Sequence, residues 1–213
     1  LVTGWSMAGC QSYQWAAQYP NMVKAILPFC SSSKTSIHNY VFLEGVKAAL
    51  ITDRNWNKGN YKKQPTKGLK AFGRVYAGWA FSQDFYREKL YKKIGFKNVE
   101  TLLKNWENEH AKNWDANDLL CKLKTWQSND ISKNPLYKNN YVKALKSIRA
   151  RTIIMSCNQD LYFRTEDNIC EKKFINKASL RPINSPYGHC AANPGNDSNF
   201  QKKLDKNLIE LLT

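Results

Sequence analysis

The chain has 213 residues, of which 42% are hydrophobic and 13% aromatic, and its formal net charge is +16. This composition is typical of a folded globular protein and excludes an intrinsically disordered one. No apolar run reaches the roughly 18 residues of a membrane helix, so no membrane span is predicted.

The positive charge comes mostly from lysines spread along the whole chain. No Arg-rich arm, helix-turn-helix pattern or basic stripe interleaved with aromatic residues accompanies them. A basic surface can still attract anionic ligands. We therefore predict no specific nucleic-acid partner and no membrane partner, and expect small-molecule substrates instead.

Six cysteines are scattered through the sequence without a C-x-x-C pair, and their spacing predicts neither a zinc site nor a disulfide framework. No metal is therefore expected. Single thiols beside apolar residues usually lie buried in a protein of a reducing compartment. This pattern favours a cytoplasmic location.

The first 33 residues read as a strand, a helix and a second strand. Residues 1–5 are strand-like, residues 7–19 have helical spacing of their apolar positions, and residues 23–30 form a short apolar run before three serines. A strand, a crossover helix and a further strand form the repeating unit of a parallel sheet.

The middle of the chain differs, because residues 37–147 are helical and rich in aromatic residues. Helices are predicted at 40–51, 69–85, 99–112 and 115–127, with loops at 55–68 and 129–140. A block of helices inserted between sheet strands suggests a lid that covers a site.

Strand patterns then resume at 151–157 and 179–185, with helices at 165–177 and 199–212. The predicted organisation is an α/β core made of residues 1–36 and 148–213, with a helical lid at 37–147.

Three polar residues follow predicted strands: Ser6, Asp160 and His189. The carboxyl ends of parallel strands meet at one edge of a sheet, so these side chains can converge. Their order along the chain, Ser then Asp then His, is the order used by α/β-hydrolase folds. Each of the three residues, taken alone, is commonly found in a purely structural role, for example in a turn, at a helix cap or as a packed side chain. The order and the strand ends together predict a catalytic triad.

The residues around Ser6 fit a nucleophile held on a tight strand-to-helix turn. Gly4 and Ala8 occupy the two small positions of a G-x-S-x-G pattern, with Ala replacing the last Gly, and Gly9 follows. The backbone N–H of Met7 would be one oxyanion donor at the start of the helix. Trp5 is a candidate for shaping the acyl pocket, with ordinary packing as the alternative.

The sequence from Leu1 to its end resembles the homoserine O-acetyltransferase family. Gly4-Trp5-Ser6-Met7-Ala8-Gly9 is similar to the family's G-G-S-M-G-G elbow, and Asp160-Leu161-Tyr162-Phe163 and Gly188-His189 are similar to its D-x-L-F-P and G-H-D motifs. Looser matches lie in the lid, at Asp53, Trp56, Gly59, Tyr61, Gly68, Leu69, Ala71 and Arg74.

The resemblance implies an α/β-hydrolase core with a helical lid, and transfer of an acetyl group from acetyl-CoA through acyl-Ser6 to an amino-acid hydroxyl. No bound cofactor is implied, because acetyl-CoA is a co-substrate. A lid arginine binds the substrate carboxylate in that family, which makes Arg74 a candidate, with an ion pair as the alternative.

Two departures keep other functions open. Cys190 stands where the family has an Asp linked to the acceptor's amino group, and the lid diverges. Hydrolysis of small esters by an α/β-hydrolase is the second hypothesis, and an inactive remnant is the third.

By resemblance, the strand that opens this chain lies near the middle of a complete sheet. Earlier strands and a loop with the second oxyanion N–H are therefore expected upstream, so the chain is expected to be a fragment or a truncated product. An exposed sheet edge would favour a partner chain. A homodimer is the partner we predict.

His38 is a candidate for lining the pocket, and His110, in a charged helix, is predicted to face solvent.

Overall fold

A computed structural model describes all residues, Leu1–Thr213. Four parallel strands form one sheet: Val2–Trp5 (β1), Ala25–Phe29 (β2), Arg151–Ile154 (β3) and Ala178–Leu180 (β4). They lie in the order β1-β2-β3-β4. The predicted parallel sheet is therefore confirmed.

Nine α-helices accompany the sheet: Met7–Gln18 (α1), Ile37–Ile51 (α2), Thr66–Ala80 (α3), Gln83–Arg87 (α4), Val99–Asn113 (α5), Ala116–Gln127 (α6), Tyr141–Lys146 (α7), Thr165–Lys172 (α8) and Ser198–Leu212 (α9). No helix is long and apolar enough to cross a membrane. The cytoplasmic location and the homodimer stay predictions.

The sheet is buried on both faces, as its apolar strands require. Side chains alternate along a strand, so Ile26 and Ile154 lie in one core cluster with Tyr13 of α1. The neighbouring positions Leu27 and Ile153 belong to a second cluster, which α9 completes with its own apolar stripe. Helices therefore cover each face, and the carboxyl ends of the strands lie at one edge.

The chain divides into two compact units, Leu1–Thr35 with Asn129–Thr213, and Ser36–Ser128. The helical unit therefore ends at Ser128, whereas the lid was predicted to run to residue 147. Residues 129–147 belong to the sheet unit because Ile131, Tyr137 and Leu145 are buried in the same cluster as Tyr13. The hydroxyl of Tyr137 also donates to the carbonyl oxygen of Ala17.

The predicted helix at 69–85 is two helices in the structure, α3 and α4. Phe81 has extended backbone angles, and the Ser82 side chain accepts a hydrogen bond from the Phe85 N–H, which caps α4. The predicted loop at 55–68 overlaps the 3-10 helix Arg54–Gly59 and the first residues of α3, which begins at Thr66. Local hydrogen bonds at a serine override the apolar periodicity here.

Candidate active site

Ser6 occupies the tight turn between β1 and α1. Its backbone angles, φ 60° and ψ −126°, lie where residues other than glycine are rarely found. The Ser6 N–H donates to the carbonyl oxygen of Phe29 on β2 at 3.1 Å, which ties the turn to the sheet. A strained, anchored backbone of this kind is typical of functional sites.

The glycines around Ser6 are required by close approach. A Cβ atom built on Gly4 would lie 2.5 Å from the Cβ atom of Ala8, and one built on Gly9 would overlap the side chain of Ser31. The helix can therefore leave the strand sharply only when both positions carry no side chain.

The amino end of α1 has no capping side chain. The Ser6 hydroxyl makes no capping hydrogen bond, and no acidic residue lies in the first turn. The first N–H groups of a helix have no partner within the helix, and Met7 begins this one. The positive end of the helix dipole therefore lies beside the Ser6 hydroxyl, where it favours negative charge.

Asp160 and His189 meet at the end of the sheet. Asp160 Oδ2 lies 2.7 Å from His189 Nδ1, and Asp160 is fully buried while His189 is 6% exposed. Because the carboxylate can only accept, Nδ1 carries a proton, and in the neutral imidazole Nε2 is then an acceptor. The second carboxylate oxygen, Oδ1, accepts the backbone N–H groups of Tyr162 at 2.8 Å and Phe163 at 3.2 Å. This fixes the carboxylate.

Three aromatic rings hold the imidazole of His189. The centroids of Tyr162, Trp5 and Phe163 lie 4.9, 5.2 and 5.5 Å from the His189 ring. Trp5 precedes Ser6 in the chain, so this contact brings the Ser6 turn and His189 to the same edge of the sheet. Trp5 Nε1 is buried without a hydrogen-bond partner.

Two thiols follow the candidate site residues in the chain, Cys190 directly after His189 and Cys10 on α1. Burial raises the pKa of Cys190 to about 12, and the Asp160 charge adds to that shift. Cys10 is buried on α1, and burial also raises its pKa to about 12. All six cysteines are unpaired. The thiols near Ser6 and His189 therefore stay protonated and are poor nucleophiles.

Cys30 is a residue that the sequence analysis did not single out for the site. Its thiol forms a buried group with Asp160 and His189, in which one ligand atom from each residue lies within 4.8 Å of the others. The sequence did contain a signal for it. Cys30 directly follows β2, so it lies at the same edge of the sheet as Asp160 and His189.

Glu171 was also missed. It is 2% exposed on α8, in a run of polar residues that looks solvent-facing in the sequence. Its carboxylate accepts hydrogen bonds from Tyr13, Ser33 and Asn168. Asn168 also donates to the carbonyl oxygen of Ser31, so the network braces the loop that presses on Gly9.

Arg74 lies in the other compact unit, on α3. It pairs with Glu100 of α5 at 2.9 Å and with Glu107 on the same helix. This ion pair is the alternative that the sequence analysis left open, and a role of Arg74 in binding substrate stays a prediction.

The other two histidines, His38 and His110, lie in the helical unit Ser36–Ser128. His38 is exposed in the first turn of α2, where its ring packs 5.2 Å from that of Trp79. His110 is partly buried rather than facing solvent, because its ring packs against Phe72 and its Nδ1 bonds the Trp106 carbonyl at 2.8 Å.

Known proteins are similar to this chain in sequence and in fold. No protein-family model matches the sequence. The chain is 30% identical to an ethyl acetate hydrolase of Pseudomonas veronii, over all of this chain and 61% of that protein. It is 30% identical to a homoserine O-acetyltransferase of Methanohalobium evestigatum, over 88% of this chain and 41% of that protein. The crystal structure of the acetyl esterase MekB superposes with a TM-score of 0.93 at 29% identity, over 99% of this chain and 61% of that one.

The chain thus spans about 60% of the length of the esterases it matches. Its homologues are esterases and homoserine O-acetyltransferases, which confirms the resemblance found in the sequence. The parallel sheet, the strand-to-helix turn at Ser6 and these matches lead to one conclusion: the chain has the α/β-hydrolase fold, and its homologues are esterases and homoserine O-acetyltransferases.

Proposed function

We propose that this chain carries the catalytic residues of a serine esterase that hydrolyses small acetyl esters. The observation that carries the proposal is the buried hydrogen bond between Asp160 and His189, at the sheet edge where Ser6 occupies a strained turn. The relatives named as ethyl acetate hydrolase and acetyl esterase support the substrate class.

In the proposed reaction, Ser6 Oγ attacks the ester carbonyl carbon while His189 Nε2 takes the hydroxyl proton. Asp160 holds Nδ1 and stabilises the imidazolium that forms. The Met7 N–H donates to the oxyanion, with the helix dipole of α1 behind it. The imidazolium then protonates the leaving alcohol, and acetyl-Ser6 remains.

Water completes the cycle in the second half of the reaction. His189 Nε2 takes a proton from the water as it attacks the acetyl carbonyl, and the serine leaves with that proton. Acetate is released and Ser6 is restored.

Cys190 favours hydrolysis over transfer to an amino acid. In the acetyltransferase family that the sequence resembles, an Asp at this position is linked to the acceptor's amino group. Cys190 is half-buried, and its surroundings raise the pKa of the thiol to about 12, so it carries no charge for an ammonium group. A water molecule that attacks acetyl-Ser6 has no ammonium group and needs no negative charge at this position.

Acetyl transfer from acetyl-CoA to an amino-acid hydroxyl is the second candidate. It rests on the 30% identity to a homoserine O-acetyltransferase. In this reaction the acceptor hydroxyl takes the place of water at acetyl-Ser6, and Arg74 is the candidate for binding the acceptor carboxylate.

Labelling with a fluorophosphonate, followed by peptide mapping, tests the nucleophile. We expect an adduct on Ser6 in the wild type and in Ser198→Ala, an exposed serine at the start of α9, and none in Ser6→Ala. An adduct that persists in Ser6→Ala, or a folded wild type that takes no label, would rule out Ser6 as the nucleophile.

Turnover separates the two candidates. With p-nitrophenyl acetate, we expect a rate that falls by about 10³-fold or more in Ser6→Ala. With acetyl-CoA, release of CoA that requires an added amino-acid hydroxyl would favour transfer. Acetate formed at the same rate with and without the acceptor would favour hydrolysis.

A further inference from the structure

Cys30, Asp160 and His189 bring a sulfur, an oxygen and a nitrogen ligand together. One ligand atom from each lies within 4.8 Å of the other two, and all three residues are buried. They come from three different segments, since Cys30 follows β2, Asp160 follows β3, and His189 lies beyond β4. The three residues are far apart in the sequence, and the parallel sheet brings them together.

The donor set fits zinc and excludes the hard cations. Zn²⁺ binds thiolate sulfur at about 2.3 Å and imidazole nitrogen or carboxylate oxygen at about 2.0–2.2 Å, in a tetrahedron. Those bonds place neighbouring ligand atoms roughly 3.3–3.7 Å apart. The ligand atoms of the three residues lie within 4.8 Å of one another, so their separations exceed those of a bound geometry by at most about 1.1–1.5 Å. Mg²⁺ and Ca²⁺ need several oxygen ligands, and the group offers one carboxylate.

Charge also favours a divalent cation at this place. A thiolate beside the carboxylate would leave two buried negative charges, which a divalent cation neutralises. Metal binding to cysteine is coupled to loss of the thiol proton in this way.

The backbone of Cys30 is itself unusual. Its φ of 45° lies in the left-handed region that favours glycine or asparagine. Its N–H donates to the carbonyl oxygen of Met155 at 2.9 Å, which locks the residue in place. A side chain held in an uncommon conformation beside a reactive pair is a feature of functional sites.

We propose that Cys30, Asp160 and His189 form a binding site for Zn²⁺, and that the bound ion switches the candidate active site off. On binding, the Cys30 thiol loses its proton to solvent and its sulfur bonds the metal. If His189 Nδ1 is the ligand, the ring proton moves to Nε2. If Nε2 is the ligand, its lone pair forms the bond to Zn²⁺. In either case Nε2 can no longer take the Ser6 proton.

Zinc binding is measured directly, so the test does not depend on the proposed reaction. The full chain is prepared in a Cys121→Ser, Cys170→Ser background, because these two thiols are exposed and would bind zinc at the surface. Equilibrium dialysis against Zn²⁺ under reducing conditions gives stoichiometry and affinity. We expect one ion per chain, and an affinity at least about tenfold lower after Cys30→Ser.

Cadmium supplies a second readout that needs no further substitution. Cd²⁺ bound to Cys30 should give thiolate-to-metal charge-transfer absorption in the background chain, and a chelator should remove it. No absorption and no zinc uptake in a chain that unfolds cooperatively would overturn the site. Equal zinc affinity with and without the Cys30 thiol would overturn it as well.

Inhibition is tested separately on Ser6. Zn²⁺ should block fluorophosphonate labelling of Ser6 in the background chain, and a chelator should restore it. Labelling that proceeds at the same rate with zinc bound would overturn the switch while leaving the proposed esterase intact. A failure to label Ser6 without zinc would instead count against the proposed function.

Discussion

Glu171 Oε1 accepts two hydrogen bonds from Ser33, one from the backbone N–H at 2.7 Å and one from the hydroxyl at 2.8 Å. This contact joins α8 to the loop that follows β2, and Tyr13 of α1 donates to the other carboxylate oxygen at 3.0 Å. A single buried carboxylate therefore links the helix behind Ser6 to the segment that carries Cys30.

Replacing Glu171 with glutamine should destabilise the fold. The Gln amide NH₂ would meet donors where the carboxylate accepts, so at least one buried group loses its partner. We expect a loss of about 2–3 kcal/mol in the free energy of unfolding. Urea unfolding measures it, and an unchanged midpoint would show that the network does not brace the fold.

The same residue predicts a pH dependence. Burial raises the pKa of Glu171 above its ordinary value of 4.5. Above 4.5 the unfolded chain loses this proton before the folded chain does, so stability falls as the pH rises through the folded pKa. Glu171→Gln has no such proton. The stability difference between wild type and variant should therefore be largest below pH 4.5 and shrink above it, which unfolding curves across pH would show.

Asp160→Asn tests the role of the carboxylate that holds His189. The amide can present its NH₂ to Nδ1 and so favour the wrong tautomer of the imidazole. In serine proteases the matching change lowers kcat by about 10⁴-fold. We expect a loss of that order with p-nitrophenyl acetate. Asp205→Asn, at an exposed position of α9, is the matched control, and equal rates in the two variants would exclude the proposed role.

Gly4→Ala should destabilise the chain, because the new Cβ atom would lie 2.5 Å from that of Ala8. Overpacking of this kind costs about 1–3 kcal/mol. Gly45→Ala is the control, since its Cβ atom would meet nothing within 4 Å in the exposed part of α2. That change should stabilise the helix by up to about 1 kcal/mol. Chemical unfolding of both variants measures the free energy of unfolding, which should fall in Gly4→Ala and rise in Gly45→Ala.

Arg74 can be assigned by separating stability from substrate binding. As an ion-pair residue, Arg74→Glu should lower the melting temperature, because it faces Glu100 and Glu107 with a like charge. Glu107→Arg in the same chain should recover part of the loss. A higher KM for an amino-acid acceptor, with an unchanged melting temperature, would instead support the substrate-binding prediction.

Local pattern in the sequence determined the fold class and predicted three residues of the candidate site. The strand, turn and helix around Ser6 are visible because apolar alternation and small residues are local signals. Asp160 and His189 could be placed at the same edge because parallel strands all end on one side.

Only the tertiary structure decided which side chains meet there. The 2.7 Å contact between Asp160 and His189, the thiol of Cys30 beside them and the burial of Glu171 depend on loops that join distant segments. Glu171 lies in a polar run whose pattern indicates exposure, and its burial follows from hydrogen bonds to Tyr13 and Ser33. Periodicity reports which face of an element is apolar, whereas such contacts arise between elements and leave no local pattern.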